Sequence, residues 1–473
     1  MIRNLPDGFK QTLLYGSSVA MMRGISLLML PFVAHQLSPE EFGRLEVIST
    51  LAVIGSVLAG MGLEDTLFRF AGSAKTALQR QRAAAGIFGL AMLLGAAFWT
   101  IGWVAAETIA GYMPAGITAY EVQLVWSVLA LEGCIAIPLG WLRMRDRAMA
   151  FFLLTSGRAV THALLVIIFL SLDRGVTGVL EAGLLATVAQ ALLLGVIHIR
   201  DVGFSLSRDK GLQSLIYSLP IVFSGILAFA LNGLDRWILT EYASLTDVAQ
   251  FAIAAKFALA VVLLLQPFGM WWSPRRFTVL NEIGGEEKVA CFISLGIALT
   301  LVATIIVGLS APLLIHWLLP ESYAEAARYA VGLAVVMAFK ELGELLNIGC
   351  FTGRTTGMQL LINAIAAVAG ITAMFYWTPL WAVWGIIAAL LLAQALRFIL
   401  FYCVSQHYLP LPYPRYSLAL VALISFSSLA LGLQVNTPVS QLLIMLAGTG
   451  VLFAVTIQLR IIPWHHFKKE TSS

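Results

Sequence analysis

Apolar stretches about 20 residues long recur from one end of this chain to the other, and the segments between them are short and rich in Lys and Arg. A helix of that length crosses the hydrocarbon core of a bilayer. Lipid offers no partner to backbone N–H and C=O groups, so an unpaired segment must bond to itself, which a helix does. The chain has 473 residues, 60% of them hydrophobic and 11% charged, whereas soluble domains carry about 25% charge. A water-soluble fold needs a polar shell that this composition cannot supply. The predicted fold class is an all-α polytopic membrane protein.

The expected spans lie near 12–35, 46–65, 84–106, 122–142, 149–171, 176–199, 214–238, 248–273, 289–314, 325–349, 357–376, 380–404, 416–434 and 439–460, about fourteen transmembrane helices. Charge placement tests this. Short cytoplasmic loops collect Lys and Arg. With the N-terminus inside, the inner loops and flanks hold Arg69, Lys75, Arg80, Arg82, Arg143, Arg145, Arg147, Arg200, Arg208, Lys210, Arg275, Arg276, Lys288, Arg354 and Arg415. The termini add Arg3, Lys10, Arg460, Lys468 and Lys469, while the outer side holds Arg44, Arg174 and Arg328. A miscount in the middle would scramble this alternation, so both termini are expected in the cytoplasm. The first helix reads as a permanent anchor, because no small-residue cleavage site follows the polar start.

Several functions are disfavoured. A net charge of +4 gives no reason to expect nucleic acid. Cys134, Cys291, Cys350 and Cys403 are scattered through apolar segments, with neither metal-ligand spacing nor a disulfide framework. No GxxxxGK[ST] phosphate loop is present and no loop is long enough for a nucleotide-binding domain. Catalytic residues, a metal and a cofactor are not expected. A membrane polymerase or acyltransferase would need paired carboxylates or His-containing motifs in its outer loops, which are short and mostly lack them.

A faint internal repeat runs through the chain. LLYG, LSPEEFGRLEV and DTLFRFAG in the first two spans answer LIYS, SLTDVAQFAIA and SPRRFTVL in the seventh and eighth, pairing Tyr15 with Tyr217, Phe42 with Val248 and Arg69 with Arg275 at a nearly constant offset. The expected organisation is a six-helix lobe over 1–200, a second over 201–407, and two additional helices with a cytoplasmic tail over 408–473. Both halves start on the same side, as in parallel repeats.

Residues 16–70 carry Met29, Leu30, Pro31 and Phe32, then Leu37, Ser38, Pro39, Glu40, Glu41, Phe42 and Gly43, then Gly62, Phe68, Arg69 and Phe70. Spans seven and eight carry Leu234, Asp235, Arg236, Phe251, Ala255, Lys256, Gln266, Pro267, Phe268, Trp272 and Pro274. On these residues the chain resembles the polysaccharide-transporter branch of the multidrug/oligosaccharidyl-lipid/polysaccharide (MOP) exporter superfamily, with its Wzx-type flippases. The resemblance implies two six-helix lobes around a central cavity in a bacterial inner membrane. It also implies alternating-access translocation of undecaprenyl-pyrophosphate-linked oligosaccharide from the cytoplasmic to the periplasmic leaflet, with a polysaccharide polymerase as a further partner. Drug exporters of the superfamily often have an acid in the first helix; Arg23 stands there in this chain and favours an anionic substrate. A drug exporter or a peptidoglycan-precursor exporter of the same superfamily is the alternative.

Cations inside the spans bear on this directly. Arg23, Arg158, Arg236, Lys256, Lys340 and Arg397 each cost roughly 2.5–3.5 kcal/mol at a helix centre, and together approach ~15–20 kcal/mol unless acids, carbonyls or water offset them. Arg23 and Lys256 have no acid close in sequence and are expected, with Arg158 and Arg397, to bind the anionic substrate; Arg397 is also placed to snorkel toward the cytoplasmic face. Guanidinium presents a planar fork to phosphate oxygens and ammonium a compact charge. Asp235 with Arg236, and Lys340 with Glu341 and Glu344, read as ion pairs. Glu132 and Glu181 are available to Arg158 or Arg23, and Glu132 and Glu344 are candidates for ion coupling. Pro31, Pro220 and Pro267 lie within spans and read equally as hinges for alternating access or as static kinks. His162, in mid-span, reads as a hydrogen-bonded structural residue, and Trp271, Trp272, Trp377 and Trp381 as interfacial anchors. An ion gradient or the membrane potential is the expected drive: two uncompensated negative charges leaving the cell gain roughly 4.6 kcal/mol per 100 mV.

Overall fold

The computed structural model describes residues 7–60, 62–72, 74–206, 233–273, 275–351, 357–435 and 438–459. Among the described residues every regular element is helical. The chain divides into two compact units, Met1–Glu241 and Tyr242–Ser473. The first holds α1 (Asp7–Gln36), α2 (Pro39–Gly60), α3 (Leu63–Gly72), α4 (Ala77–Tyr112), α5 (Ala119–Ala130), α6 (Glu132–Met144), α7 (Ala148–Ser171), α8 (Gly175–Val202) and nearly all of α9 (Leu234–Tyr242). The second holds α10 (Leu245–Ala258), α11 (Ala260–Trp272), α12 (Arg276–Leu280), α13 (Gly285–Leu318), α14 (Ala326–Leu346), α15 (Gly357–Trp381), α16 (Val383–Tyr408), α17 (Arg415–Leu433) and α18 (Pro438–Gln458).

Twelve helical segments among the described residues are long and apolar enough to cross a membrane. They coincide with all the expected spans except the seventh and tenth. The tenth is a helix, α14, but Arg328, Lys340, Glu341 and Glu344 make it too polar to qualify on composition. The seventh lies mostly outside the described residues, as do Pro220, Tyr217, Pro274, Arg354 and the basic tail. Side chains such as Leu28, Val104 and Trp317, 79%, 83% and 82% exposed, turn outward in a chain whose natural solvent is lipid. The protein is a multi-pass membrane protein.

Helix starts are written locally. At α2, Glu41 Oε2 accepts from Ser38 N (2.9 Å) and Ser38 Oγ from Glu41 N (3.2 Å). At α10, Ser244 and Asp247 form the same reciprocal box, both bonds 3.1 Å. Each satisfies two of the donors a helix N-terminus leaves open. Phe42 and Val248, paired by the repeat, each follow their box and are buried. Further along, the order recurs: a long helix (α4; α13), then an antiparallel pair (α7–α8; α15–α16). The turn inside each pair passes through a left-handed residue, Asp173 at φ 56° and Ala382 at φ 46°. Gly62, at φ 58°, makes the corner between α2 and α3, where a side chain would be strained.

Between helices in lipid, close packing replaces the hydrophobic drive. In the first unit Leu63, Leu67, Phe88, Ile137 and Trp141 form one buried cluster. In the second, α17 and α18 pack on α13, and Leu309 and Leu429 reach over each other's facing glycine. A Cβ at Gly432 would lie 2.2 Å from Leu309, and one at Gly308 2.5 Å from Leu429. Trp272 departs from the interfacial expectation: it is buried against Phe292, ring centroids 5.2 Å apart, in the core of this unit. Trp381, 57% exposed at the end of α15, has the exposure of an anchor.

Candidate functional site

On α7, Leu154, Arg158 and His162 recur every fourth residue and share one face. That face meets α8 in a polar seam. Gln190 Nε2 donates to the Leu154 carbonyl (3.2 Å), Arg158 donates to Thr187 Oγ1 (3.2 Å), and His162 hydrogen-bonds the Val179 backbone. Thr187 in turn donates to the Gly183 carbonyl at 2.7 Å. Glu132, at the start of α6, is the electrostatic partner of Arg158. A guanidinium with five donors, meeting one hydroxyl and one nearby carboxylate, retains capacity for phosphate oxygens.

Arg23 is exposed on α1, which packs along α7. Tyr15 and Phe151 fix the register, their rings edge-to-face at 5.2 Å. Arg23 lies eight residues beyond Tyr15, about 12 Å along α1, and Arg158 seven beyond Phe151, about 10.5 Å along α7. Two arginines thus stand at similar distances from that ring contact on neighbouring helices of the first unit, with Glu132 as the acid that acts on Arg158.

Several other charges of this unit are paired. Arg236 lies 3.4 Å from Asp235, as the sequence suggests, and 3.5 Å from Glu46 of α2, which sequence reasoning missed; both acids are buried. Arg44 donates to Glu121 (2.6 Å) and to the Gly116 carbonyl (3.0 Å). Glu181, considered as a partner for Arg158 or Arg23, accepts instead from Arg174 (2.7 Å) and Tyr120 (3.0 Å). At the opposite end Arg147 pairs with Asp201 at 2.6 Å and Arg143 with Glu64.

In the second unit Arg397 of α16 donates from Nε to Asn363 Oδ1 of α15 (2.7 Å) and from a terminal nitrogen to Glu344 Oε1 of α14, and its guanidinium lies 5.0 Å from the Phe401 ring centre. Asn347 donates to Glu344 Oε2 at 3.0 Å and accepts from Arg276 at 3.2 Å. Glu344, one turn from Lys340, turns to Arg397 and Asn347, and Lys340 interacts with Glu341. Asn347, Asn363 and the placement of Arg276 were not visible in the sequence. Lys256 is half-buried in the last turn of α10, just before the break at Leu259, and makes contacts of its own. Pro31 and Pro267 lie inside α1 and α11, which continue through them as helices. Among the described residues no group of His, Cys, Asp and Glu is placed to hold a metal ion.

The profile of a family described as "Polysaccharide biosynthesis protein" matches residues 9–277. No curated protein sequence matches the chain. Among solved structures it is similar to a lipid II flippase MurJ in an inward closed conformation, with TM-score 0.73, 14% identity, 95% of this chain covered and 100% of the other. It is also similar to an inward-facing multidrug resistance MATE family transporter of the MOP superfamily, with TM-score 0.57, 14% identity and coverage of 85% and 94%. A MATE structure in complex with MaL6 matches at TM-score 0.55 and 15% identity, covering 85% and 96%. At these identities the likeness gives the fold: that of membrane flippases and exporters.

Proposed function

Because the chain belongs to the polysaccharide biosynthesis protein family, we propose that it is a flippase that carries an undecaprenyl-pyrophosphate-linked oligosaccharide from the cytoplasmic to the periplasmic leaflet of a bacterial inner membrane. The observation that carries the reading is an arginine on each of two helices that pack together, Arg23 on α1 and Arg158 on α7, with Glu132 as the acid that answers Arg158. Cations kept at depth cost several kcal/mol, and a pyrophosphate head group repays that cost by charge-assisted, forked hydrogen bonds. On the first unit Arg23 and Arg158 receive the head group, and on the second Lys256 is a further cation suited to an anionic substrate, while the polyprenyl chain stays in lipid. Alternating access, with Pro31 and Pro267 as bending points, moves the head group; the membrane potential or an ion gradient drives it outward.

The test uses proteoliposomes loaded with the pyrophosphate-linked oligosaccharide. Wild-type protein is expected to translocate it, and Arg23→Ala and Lys256→Ala to lower the rate at least ~10-fold while both variants stay inserted and abundant, a loss of about 1.4 kcal/mol in transition-state stabilisation. Unchanged rates in both variants reject the site. The similarity to a lipid II flippase favours a second reading, translocation of a peptidoglycan precursor, so lipid II belongs in the same assay. Transport of a cationic drug in place of either lipid would reject both.

A further inference from the structure

The end of the second unit that the charge pattern assigns to the cytoplasm carries a group of side chains the proposed transport step does not use. Arg276, the first residue of α12, has its guanidinium 4.9 Å from the Phe277 ring centre and 4.8 Å from that of Phe351. Its NH1 donates to Asn347, while its buried Nε has no partner among the described residues. Burial pushes this guanidinium below its ordinary value, and Glu344 acts in the opposite direction. Arg397 reaches the same carboxylate from α16, and its own side chain is only 12% exposed whereas that of Glu344 is 44% exposed. Glu344 therefore receives Arg397 on one oxygen and Asn347 on the other, and Asn347 relays the contact to Arg276.

We propose that Glu344 is a built-in stand-in anion, and that Arg276 and Arg397 form an entry subsite for a pyrophosphate lipid head group, which binds by displacing it. The inference rests on the reading of the chain as a flippase for such lipids. The chemistry follows from the contacts. Two arginines from different helices share one carboxylate, through Asn347 on one side. A diphosphate offers more charge and more acceptor oxygens than the carboxylate, so it can engage both forks directly. The aromatic rings hold the two guanidiniums in place through cation–π contact when the carboxylate leaves. The half-exposed Glu344 is the member free to swing out. It also lowers the affinity for weaker anions, which is a form of specificity by competition. The position suits the step, because substrate is loaded at the cytoplasmic end.

The experiment measures binding of undecaprenyl pyrophosphate, and separately of inorganic pyrophosphate, to the full-length protein in nanodiscs of neutral lipid. Glu344→Gln is close to isosteric and removes the competing charge, and is expected to tighten binding of the lipid about tenfold. Asn347→Asp adds a second acid between the same arginines and is expected to weaken it by a similar factor. Arg276→Ala and Arg397→Ala should each weaken it at least tenfold, with Arg276→Lys recovering part of the loss. Inorganic pyrophosphate should follow the same order at lower affinity; if it alone responds, the subsite binds a free anion and the lipid assignment is wrong. If wild-type protein translocates the lipid and Arg23→Ala abolishes this, while Glu344→Gln, Asn347→Asp and Arg276→Ala leave affinity within twofold of wild type, the entry subsite is overturned and the flippase reading stands. If wild-type protein neither binds nor translocates the lipid, both fall.

Discussion

Arg158 and Arg397 are both arginines in the antiparallel helix pair of their unit, and their surroundings differ. Arg158, in the α7–α8 seam, meets the neutral hydroxyl of Thr187, with Glu132 as an electrostatic neighbour. Arg397, at the corner of α14, α15 and α16, has a carboxylate, an amide oxygen and an aromatic ring around its guanidinium. One environment stabilises a charge with capacity left over, and the other occupies it with a carboxylate that a ligand has to displace. A cation inside a span is therefore not by itself a binding residue; its remaining donor capacity decides what it can do.

Removal of Arg397 should have the larger structural effect. Arg397→Ala leaves Asn363 Oδ1 and Glu344 Oε1 without the Arg397 donors, while Glu344 Oε2 keeps Asn347, and charged hydrogen bonds contribute about 1.5–3 kcal/mol. Glu344 is half-exposed and recovers water, so a net cost of about 2 kcal/mol is expected, below the 3–5 kcal/mol of a fully buried pair. Thermal unfolding in detergent reads it as a clear fall in midpoint, with Arg397→Lys intermediate. No change in midpoint would show that the corner is loosely made and that the contrast with Arg158 is false.

Arg158→Ala should do the reverse. Thr187 keeps its bond to the Gly183 carbonyl, so no hydroxyl is orphaned, and Glu132 loses an electrostatic neighbour, so the stability change is expected at about 1 kcal/mol. Translocation of the pyrophosphate-linked substrate should nevertheless fall at least tenfold, about 1.4 kcal/mol. A variant that unfolds without a transport defect in the surviving protein would move Arg158 to the structural side of the comparison.

The sequence exposed the helices and the suspect charges, but not the partners, and the reason is physical. A span is a run of apolar residues, visible locally, and a charge such as Arg158 or Arg397 stands out within it. The helix starts at Ser38 and Ser244 are visible because the capping box is a four-residue pattern. Partners depend on which helices touch and at what rotation. Glu46 finds Arg236 across the unit, and Asn363 finds Arg397 from a neighbouring helix. Nothing in the spacing of these residues announces that, and a lone Thr187 or Asn363 in an apolar run resembles any packing residue. Where local spacing did suggest a bond, between Lys340 and Glu344, the tertiary contact with Arg397 took the carboxylate.

The capping boxes make the smallest and most even comparison between the units. Ser38 and Ser244 are both exposed, both receive the backbone N–H of the third helical residue, and both are answered by its carboxylate. Ser244 also donates from its hydroxyl to Asp247 at 2.7 Å. Replacing either Ser with Ala removes one acceptor and leaves the helix otherwise intact, for about 1 kcal/mol each. Because the two boxes belong to separate units, the double variant should lose the sum to within about 0.5 kcal/mol. Loss at Ser244 but none at Ser38 would mean that the repeat conserves the shape of the helix start without its energetic role, and that the two units, alike in order of helices, are held together by different bonds from their first turn onward.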